Sequence, residues 1–220
     1  MSGRVRRWAR ADWTGTELVP RGGALLVANA GSLPWWDATV VAEGIESSTG
    51  RRLRWMAEGA DRSPLLGLGP RMGPPDAGEP HRLLHDVQEL ILTLVEPEPE
   101  PATDDRPMLP GTVELAMRAG VPVVPIALVG TDDAAPMLLR CGRGHRLTAN
   151  QVLLGPVLGR LVPLPVKYLG QVLPPIRFDA EAHEDHYAPD QVAAGATLVY
   201  RRLRDARLAL ASRRDNVWLG

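Results

Sequence analysis

The stretch of sequence that decides the fold is GGALLVANAGSLPWWDATVV, residues Gly22–Val41. Within it, Ala24–Asn29 is a short apolar run that ends abruptly, which is typical of a strand buried on both faces of a parallel sheet. The loop that follows leads to Asp37, an acidic residue suited to the N-cap or first turn of a helix. We therefore predict a strand, a loop and a helix over residues 38–46.

The same alternation of short apolar runs and helical patterns continues along the chain. The opening segment, Arg4–Glu17, is predicted as a helix or a strand. The further predicted strands are Leu53–Ala57, Leu90–Val95 and Val121–Val129, and the further predicted helices are Ala77–Glu89, Gly111–Gly120 and an arginine-rich Asp190–Arg214. The two prolines in the last of these strands suggest bulges or a sheet edge. Alternating strands and helices predict an α/β fold, with helices flanking a mostly parallel central sheet.

Length and composition limit the classes of protein to which the chain can belong. Its 220 residues fit one domain, 1–220, with a core over 20–180. The net charge of −1 gives no reason to expect nucleic acid as a partner. One cysteine, Cys141, excludes an internal disulfide and is compatible with a reducing compartment, and we expect a cytoplasmic location.

The sequence predicts membrane contact, if any, to be peripheral. It has no signal-peptide pattern and no run of 18 apolar residues, so we expect no spanning helix. The arginine-rich N-terminus and final helix have two interpretations, contact with anionic lipid headgroups at the inner face of a membrane or solvated charged faces.

Four blocks of the sequence, in order, resemble the glycerolipid acyltransferase family, which includes the glycerol-3-phosphate and 1-acylglycerol-3-phosphate acyltransferases. They are GGALLVANAGSLPWWDATVV (Gly22–Val41), LILTLVEPEP (Leu90–Pro99), LPGTVELAMRAGVPVVPIALVGTDDAAP (Leu109–Pro136) and LVPLPVKYLGQVLPPIRFD (Leu161–Asp179). Any one block is weak evidence, whereas four in order are fairly specific for the fold. The resemblance implies a single acyltransferase-like α/β domain. It also implies acyl-CoA or acyl-carrier protein as co-substrate if the chain is active, and no other cofactor.

The first family block runs from a strand to Asn-His, a short loop and Asp. The imidazole is the base that takes the proton of the acceptor alcohol, and the carboxylate behind it orients the ring. Here Asn29 matches the family Asn and Asp37 matches the family Asp, but Ala30 stands at the His position. If the loop is aligned by the commoner four-residue gap, Ser32 stands there instead. Neither side chain replaces an imidazole, so the resemblance implies that Asp37 is an orphan partner.

The second family block also departs from its pattern. The family strand ends in Phe-Pro-Glu-Gly, and Pro97 and Glu98 match its centre, but Pro99 stands in place of the glycine. Proline fixes φ and bars the close backbone approach that glycine permits. Arg71 could match a phosphate-binding arginine of the family. The substrate-binding residues that the resemblance implies are Asn29, Ser32, Arg71, Pro97 and Glu98.

Simpler structural roles compete with some of these assignments. Without a histidine beside it, Asp37 is better interpreted as the N-cap of its helix than as a catalytic partner. One of Trp35 and Trp36 is expected in the core and the other along a former acyl tunnel. His81 and His85 have the spacing of metal ligands on a helix, yet no third ligand follows nearby, so we predict no metal site.

Three functions are compatible with these observations. The first is a pseudoenzyme that binds a lipid, an acyl chain or a partner protein without turnover, and it depends on Ala30 and Pro99. The second is an active acyltransferase whose base comes from elsewhere, for example His81, His85 or His145. The third is a structural subunit that contacts a complex through the Glu/Pro run at residues 96–101. We favour the first and third together over the second, because Ala30 and Pro99 both depart from the family pattern at the reacting groups. The fold alone does not settle the function.

Overall fold

A computed structural model describes residues 8–56, 71–72, 79–95, 108–141, 145–155, 159, 162–178 and 187–214. Its strands are β1 (Asp12–Thr14), β2 (Ala24–Asn29), β3 (Leu53–Met56), β4 (Arg71–Met72), β5 (Leu90–Val95), β6 (Val123–Val129), β7 (Met137–Cys141), β8 (His145–Thr148) and β9 (Leu169–Val172). Its helices are α1 (Pro34–Thr49), α2 (Glu79–His85), α3 (Met108–Arg118), α4 (Thr131–Ala134), α5 (Ala149–Leu154) and α6 (Pro189–Ala211), with a 3-10 turn at Thr16–Leu18.

Seven of the strands form one sheet, in the order β1-β9-β6-β2-β5-β3-β4. Each neighbouring pair in this order is parallel except β6 and β9, which are antiparallel. The remaining strands, β7 and β8, pair with each other as an antiparallel hairpin. The predicted α/β class with a mostly parallel central sheet is therefore confirmed.

Both faces of the sheet are covered, and this explains why the central strands are continuously apolar. Along β2, Leu26 and Ala28 belong to a core cluster that includes α1 residues such as Ile45. Leu25 and Val27 belong to a second cluster with side chains of α2, α3 and α6. Every residue of β2 and of β5 is buried, so neither strand has a polar face.

Helix α1 begins at Pro34, four residues before the first residue of the predicted range 38–46. Pro34 occupies its first turn, where the missing N–H costs nothing and the fixed φ favours the helix. The helix ends at Gly50, which adopts φ 69° and donates its N–H to the Glu46 carbonyl. That left-handed cap is a conformation that glycine adopts without steric cost.

Two other sequence expectations need correction. Strand β6 is not at an edge, because it lies between β2 and β9 despite Pro125. The Pro125 carbonyl accepts a hydrogen bond from the Leu173 N–H at 2.9 Å, just past the end of β9, so the proline still contributes an acceptor there. The β7–β8 hairpin was not predicted at all. The opening segment contains β1, which is one edge of the sheet.

Candidate functional site

The candidate site lies where β2, β5 and β6 end, at the carboxyl edge of the sheet. This edge is where α/β proteins usually bind ligands. Asn29 is the last residue of β2, and the loop from Ala30 leads directly into α1. The Ala30 N–H donates to the Val95 carbonyl at 2.9 Å, which ties this loop to the end of β5. On its other side, Gly31 lies so close to α4 that a Cβ would stand 2.5 Å from the Thr131 carbonyl carbon.

Asp37 is the polar centre of this edge, and it is completely buried. Its Oδ2 accepts a hydrogen bond from the Gly31 N–H at 2.8 Å. Its Oδ1 accepts one from the Tyr168 hydroxyl, also at 2.8 Å, and Tyr168 is itself completely buried. The carboxyl group therefore joins the loop after β2 to the segment before β9, and each of its oxygens already has a donor.

Burial sets the protonation of this pair. Loss of solvation raises the pKa of Asp37 from 3.8 to about 7, against the opposing effect of the hydrogen bonds from Gly31 and Tyr168. Burial and the neighbouring Asp37 charge together raise the pKa of Tyr168 well above 10. A carboxyl group that titrates near neutrality is often a catalytic acid or base. Here it has no exposed atom, so geometry excludes direct proton exchange with a substrate.

The interpretation of Asp37 as an N-cap is wrong. The helix begins at Pro34 with Leu33 as its N-cap residue, and no side chain caps it. The carboxyl group of Asp37 instead turns back toward the preceding loop and toward Tyr168. Its role is thus to connect two segments that are far apart in sequence.

Asn29 acts as a clamp between β2 and β6. Its Nδ2 donates to the Leu128 carbonyl at 3.0 Å, and its Oδ1 accepts from the Leu128 N–H at 2.7 Å. The side-chain amide thereby reproduces both hydrogen bonds of a paired peptide group. Contact between Asn29 and a substrate stays a prediction.

No imidazole of the described part of the chain stands near Asp37. Ala30 is buried and Ser32 is half-buried at the loop. His81 and His85 stack with ring centroids 5.6 Å apart, and their nitrogens contact the Arg118 and Ala119 carbonyls at 3.2 and 3.1 Å. Those carbonyls precede β6, at the amino edge of the sheet. A strand of six or seven residues separates the two edges by roughly 20 Å.

His81 and His85 are therefore excluded as replacement bases for Asp37. The side chain of His145 lies outside the described residues, so its proposed role stays a prediction. Among the described residues, no three His, Cys, Asp or Glu side chains converge as metal ligands. Within the same residues, no helix combines the length and apolarity needed to cross a membrane.

Three other predicted site residues are not brought to this edge by what the structure describes. Pro97 and Glu98 lie outside the described residues, as does Pro99. Arg71 begins β4, the edge strand next to β3, and nothing of its side chain is described. Trp35 and Trp36 both belong to the buried core, in edge-to-face contact at 5.9 Å, so the expectation that one lines a tunnel has no support.

A cleft opens beside Asn29 and was not predicted from the sequence. Its empty volume, including space open to solvent, is about 230 Å³, and the residues that line it are Asn29, Val95, Tyr200, Leu203, Arg204 and Arg207. The Nη1 of Arg207 is buried and, among the described residues, has no hydrogen-bond partner. Two guanidinium groups of α6 thus border the carboxyl ends of β2 and β5.

Sequence reasoning missed Tyr168 as the partner of Asp37. The two residues are separated by 131 positions, and Tyr168 lies in an apolar, proline-rich stretch without a motif around it. It also missed Arg207, because arginine supplies nearly all the positive charge of this chain and no single one stands out.

Comparison with known sequences gives distant relatives whose own roles are not described. No protein-family model matches the sequence. Uncharacterized proteins of Mycobacterium bovis and of two strains of Mycobacterium tuberculosis are each 33% identical over 191 residues, which is 74% of this chain and 51% of the relative. The chain therefore spans about half the length of the curated relatives it matches.

Comparison with solved structures identifies the fold. The crystal structure of the 1-acyl-sn-glycerophosphate (LPA) acyltransferase PlsC from Thermotoga maritima superposes with a TM-score of 0.55 and 15% sequence identity. The similarity covers 98% of this chain and 81% of that one. The chain thus has the acyltransferase fold, and the predicted fold is confirmed.

Proposed function

We propose that this chain is an acyltransferase-fold protein that binds a glycerolipid with an anionic headgroup and does not transfer its acyl chain. The observation that carries the proposal is that both carboxylate oxygens of Asp37 accept hydrogen bonds from groups other than an imidazole. In the family that the sequence resembles, this carboxylate orients an imidazole. Here Tyr168 and Gly31 supply its hydrogen-bond donors and Ala30 stands where the imidazole would be.

The lack of an imidazole beside Asp37 in the described part of the chain is the physical reason to expect no turnover. A hydroxyl is a weak nucleophile at neutral pH unless a base accepts its proton as the acyl bond forms. Asp37 is completely buried and cannot reach an acceptor hydroxyl, even though its pKa is about 7. Neither the methyl group of Ala30 nor the hydroxyl of Ser32 is a comparable base.

The cleft beside Asn29 supports an anionic ligand. Arg207 presents a buried Nη1 without a partner in the described chain, and a buried unpaired donor is costly unless something accepts from it. Arg204 lies three residues before Arg207 on the same helix, and its guanidinium forms an ion pair with Asp205 at 3.4 Å. A phosphate matches two guanidinium groups in charge and in hydrogen-bonding geometry.

We expect very slow acyl transfer by the purified chain. With a long-chain acyl-CoA or acyl-carrier protein and lysophosphatidate, its rate should be at least about 100-fold below that of a 1-acylglycerol-3-phosphate acyltransferase assayed in parallel, because general-base catalysis contributes that much or more. Product phosphatidate is quantified by mass spectrometry. Turnover within tenfold of that control, lost in Asp37→Asn, would mean that the chain is an enzyme and that the proposal is wrong.

Binding without turnover has its own measurement. Titration calorimetry with a short-chain lysophosphatidate, kept below its micelle concentration, should give a dissociation constant that rises about tenfold or more in Arg207→Gln, because a charge-assisted hydrogen bond is lost. The matched control is Arg202→Gln, an exposed arginine of the same helix that does not line the cleft. Equal affinities for wild type and Arg207→Gln would refute the assignment of the cleft.

A further inference from the structure

Most of the exposed large apolar side chains of the described chain belong to segments that hydrogen bonds connect to one another. Among the described residues nine large hydrophobic side chains are exposed, and six of them lie on strand β7, on helix α5 and at Trp8: Trp8, Met137, Leu138, Val152, Leu153 and Leu154. We call these six residues the apolar patch. Leu153 is 71% exposed and Val152 is 60% exposed. Apolar side chains that cluster in this way mark interaction surfaces more often than scattered ones do.

Local hydrogen bonds hold the members of the apolar patch together. Helix α5 follows β8 directly, and its first N–H, on Ala149, donates to the Pro136 carbonyl at 2.7 Å, next to the start of β7. Asn150 donates to the carbonyls of Ala134 and Val162, both at 2.9 Å. Helix α5, which carries three residues of the patch, is therefore held in place by hydrogen bonds to the neighbouring segments.

Trp8 joins the patch from the other end of the chain. Its indole Nε1 donates to the Pro163 carbonyl at 3.0 Å, next to the residue that Asn150 contacts, while the residue stays 42% exposed. A tryptophan whose N–H is satisfied and whose ring faces outward is suited to the boundary between water and lipid.

The charged residues in the sequence around the patch, residues 134–178, are all basic. Residues 134–178 contain no Asp or Glu, although the whole chain has 26 acidic residues in 220. Within the hairpin and α5, residues 137–154, the sequence has three arginines and one histidine. Apolar residues interspersed with basic ones and without acidic ones match an anionic lipid surface.

The patch lies at the same edge of the sheet as the candidate site. The loop at Gly31 abuts Thr131 of α4, and β7 begins at Met137, six residues further along. A bilayer that contacts the patch would thus lie next to the edge where β2 and β5 end. This orientation would bring the site to the surface from which a lipid is taken.

We infer that the apolar patch is a docking surface for an anionic bilayer. The residues that enter the interfacial region of the bilayer are Val152, Leu153, Leu154, Met137 and Leu138. The excess of basic over acidic residues in this stretch of sequence attracts anionic lipid. A second copy of the chain is a poorer occupant, because residues 134–178 of each copy contain basic residues and no Asp or Glu, so two copies offer no complementary charge. Docking goes beyond the proposed function, because it does not depend on whether the site catalyses transfer.

The test is co-sedimentation of the full chain with vesicles. Wild type should bind vesicles of phosphatidylcholine with about 25 mol% phosphatidylglycerol, bind pure phosphatidylcholine vesicles at least about tenfold more weakly, and lose affinity when salt rises. The double variant Val152→Asp with Leu153→Asp should bind the anionic vesicles at least about tenfold more weakly, since two apolar side chains that would enter the bilayer are lost and two negative charges are added.

A matched control uses exposed leucines elsewhere. Leu198→Asp with Leu208→Asp changes two exposed residues of the arginine-rich helix α6 by the same charge, and it should bind within about twofold of wild type. If this control loses binding and the patch variant does not, the docking surface is α6 and the inference is wrong. It is also wrong if wild type binds neither vesicle, or if the patch variant only dissociates a dimer.

A second measurement reports on the surface without relying on those variants. Brominated lipids quench tryptophan that contacts the bilayer, and Trp8 is the exposed tryptophan of the described chain. Quenching of wild type should fall by about half or more in Trp8→Phe. Bound protein whose quenching is unchanged in Trp8→Phe would overturn the assignment. Neither vesicle result depends on the transfer assay or on soluble lysophosphatidate, so this inference and the proposed function can fail separately.

Discussion

Replacement of Tyr168 by alanine is expected to lower the free energy of unfolding by about 4 kcal/mol or more. Removal of a fully buried aromatic side chain costs about 3–5 kcal/mol through lost burial and the cavity left behind. The Oδ1 of Asp37 also loses its donor, which adds about 1–3 kcal/mol if the cavity stays dry. Denaturant titration followed by circular dichroism measures the change.

Two companion variants separate packing from hydrogen bonding in this experiment. Tyr168→Phe keeps the ring and should cost only about 1–3 kcal/mol, so it also serves if the alanine variant fails to fold. Tyr187→Ala is the matched control, because Tyr187 is half-buried and its hydroxyl makes a longer bond, 3.3 Å, to the Met117 carbonyl. If Tyr168→Ala cost no more than Tyr187→Ala, the pair with Asp37 would not be a structural centre.

The stability of the fold is expected to decrease as pH rises from 5 to 8 because of Asp37. Burial raises its pKa to about 7 in the folded chain, above the ordinary value of 3.8. Below about pH 4 the group is protonated in both states and imposes no penalty. Between those values the unfolded chain releases the proton first, so each pH unit costs about 1.4 kcal/mol, and the loss levels off above pH 7.

The variant Asp37→Asn isolates this contribution, since an amide does not titrate. The difference in unfolding free energy between wild type and Asp37→Asn should shift against wild type by roughly 2–3 kcal/mol from pH 5 to pH 8. Other titrating groups are common to both proteins and cancel. Parallel curves over this range would show that Asp37 is ionised at an ordinary pKa and is therefore solvated.

The main elements of the fold were predictable because buried strands appear in the sequence as short runs of apolar residues. The run Ala24–Asn29 and the run Leu90–Val95 are strands with the predicted bounds, since strands covered on both faces need apolar residues at nearly every position. Helix boundaries were less accurate. Helix α1 starts at Pro34 because proline suits a first turn, whereas Asp37, taken as an N-cap or first-turn residue, suggested a later start.

The β7–β8 hairpin escaped prediction because its sequence lacks the usual pattern. Strand β7 presents Met137 and Leu138 together as exposed residues, without the alternation of apolar and polar side chains that indicates a half-buried strand. The central position of β6 was missed for a related reason. Pro125 suggested an edge, but its carbonyl still accepts from the Leu173 N–H, and Val123 and Ile176 exchange two further backbone hydrogen bonds.

At the candidate site, sequence comparison could identify what is missing but not what replaces it. Ala30 in place of histidine is visible in the sequence alone. The bond between Tyr168 and Asp37 depends on the return of the chain to the same edge of the sheet after 131 positions, and no local pattern encodes such a contact. The cleft with Arg204 and Arg207 likewise depends on where α6 packs.

The clamp made by Asn29 has a consequence for the annotation of other proteins with this fold. Because its amide takes both hydrogen bonds of Leu128, substitution of this asparagine would open the end of the strand pair even in a chain that performs no reaction. Selection for folding alone can therefore preserve it through evolution. An asparagine at this position in a newly sequenced homologue indicates an intact scaffold, and catalytic competence must be judged from the neighbouring histidine.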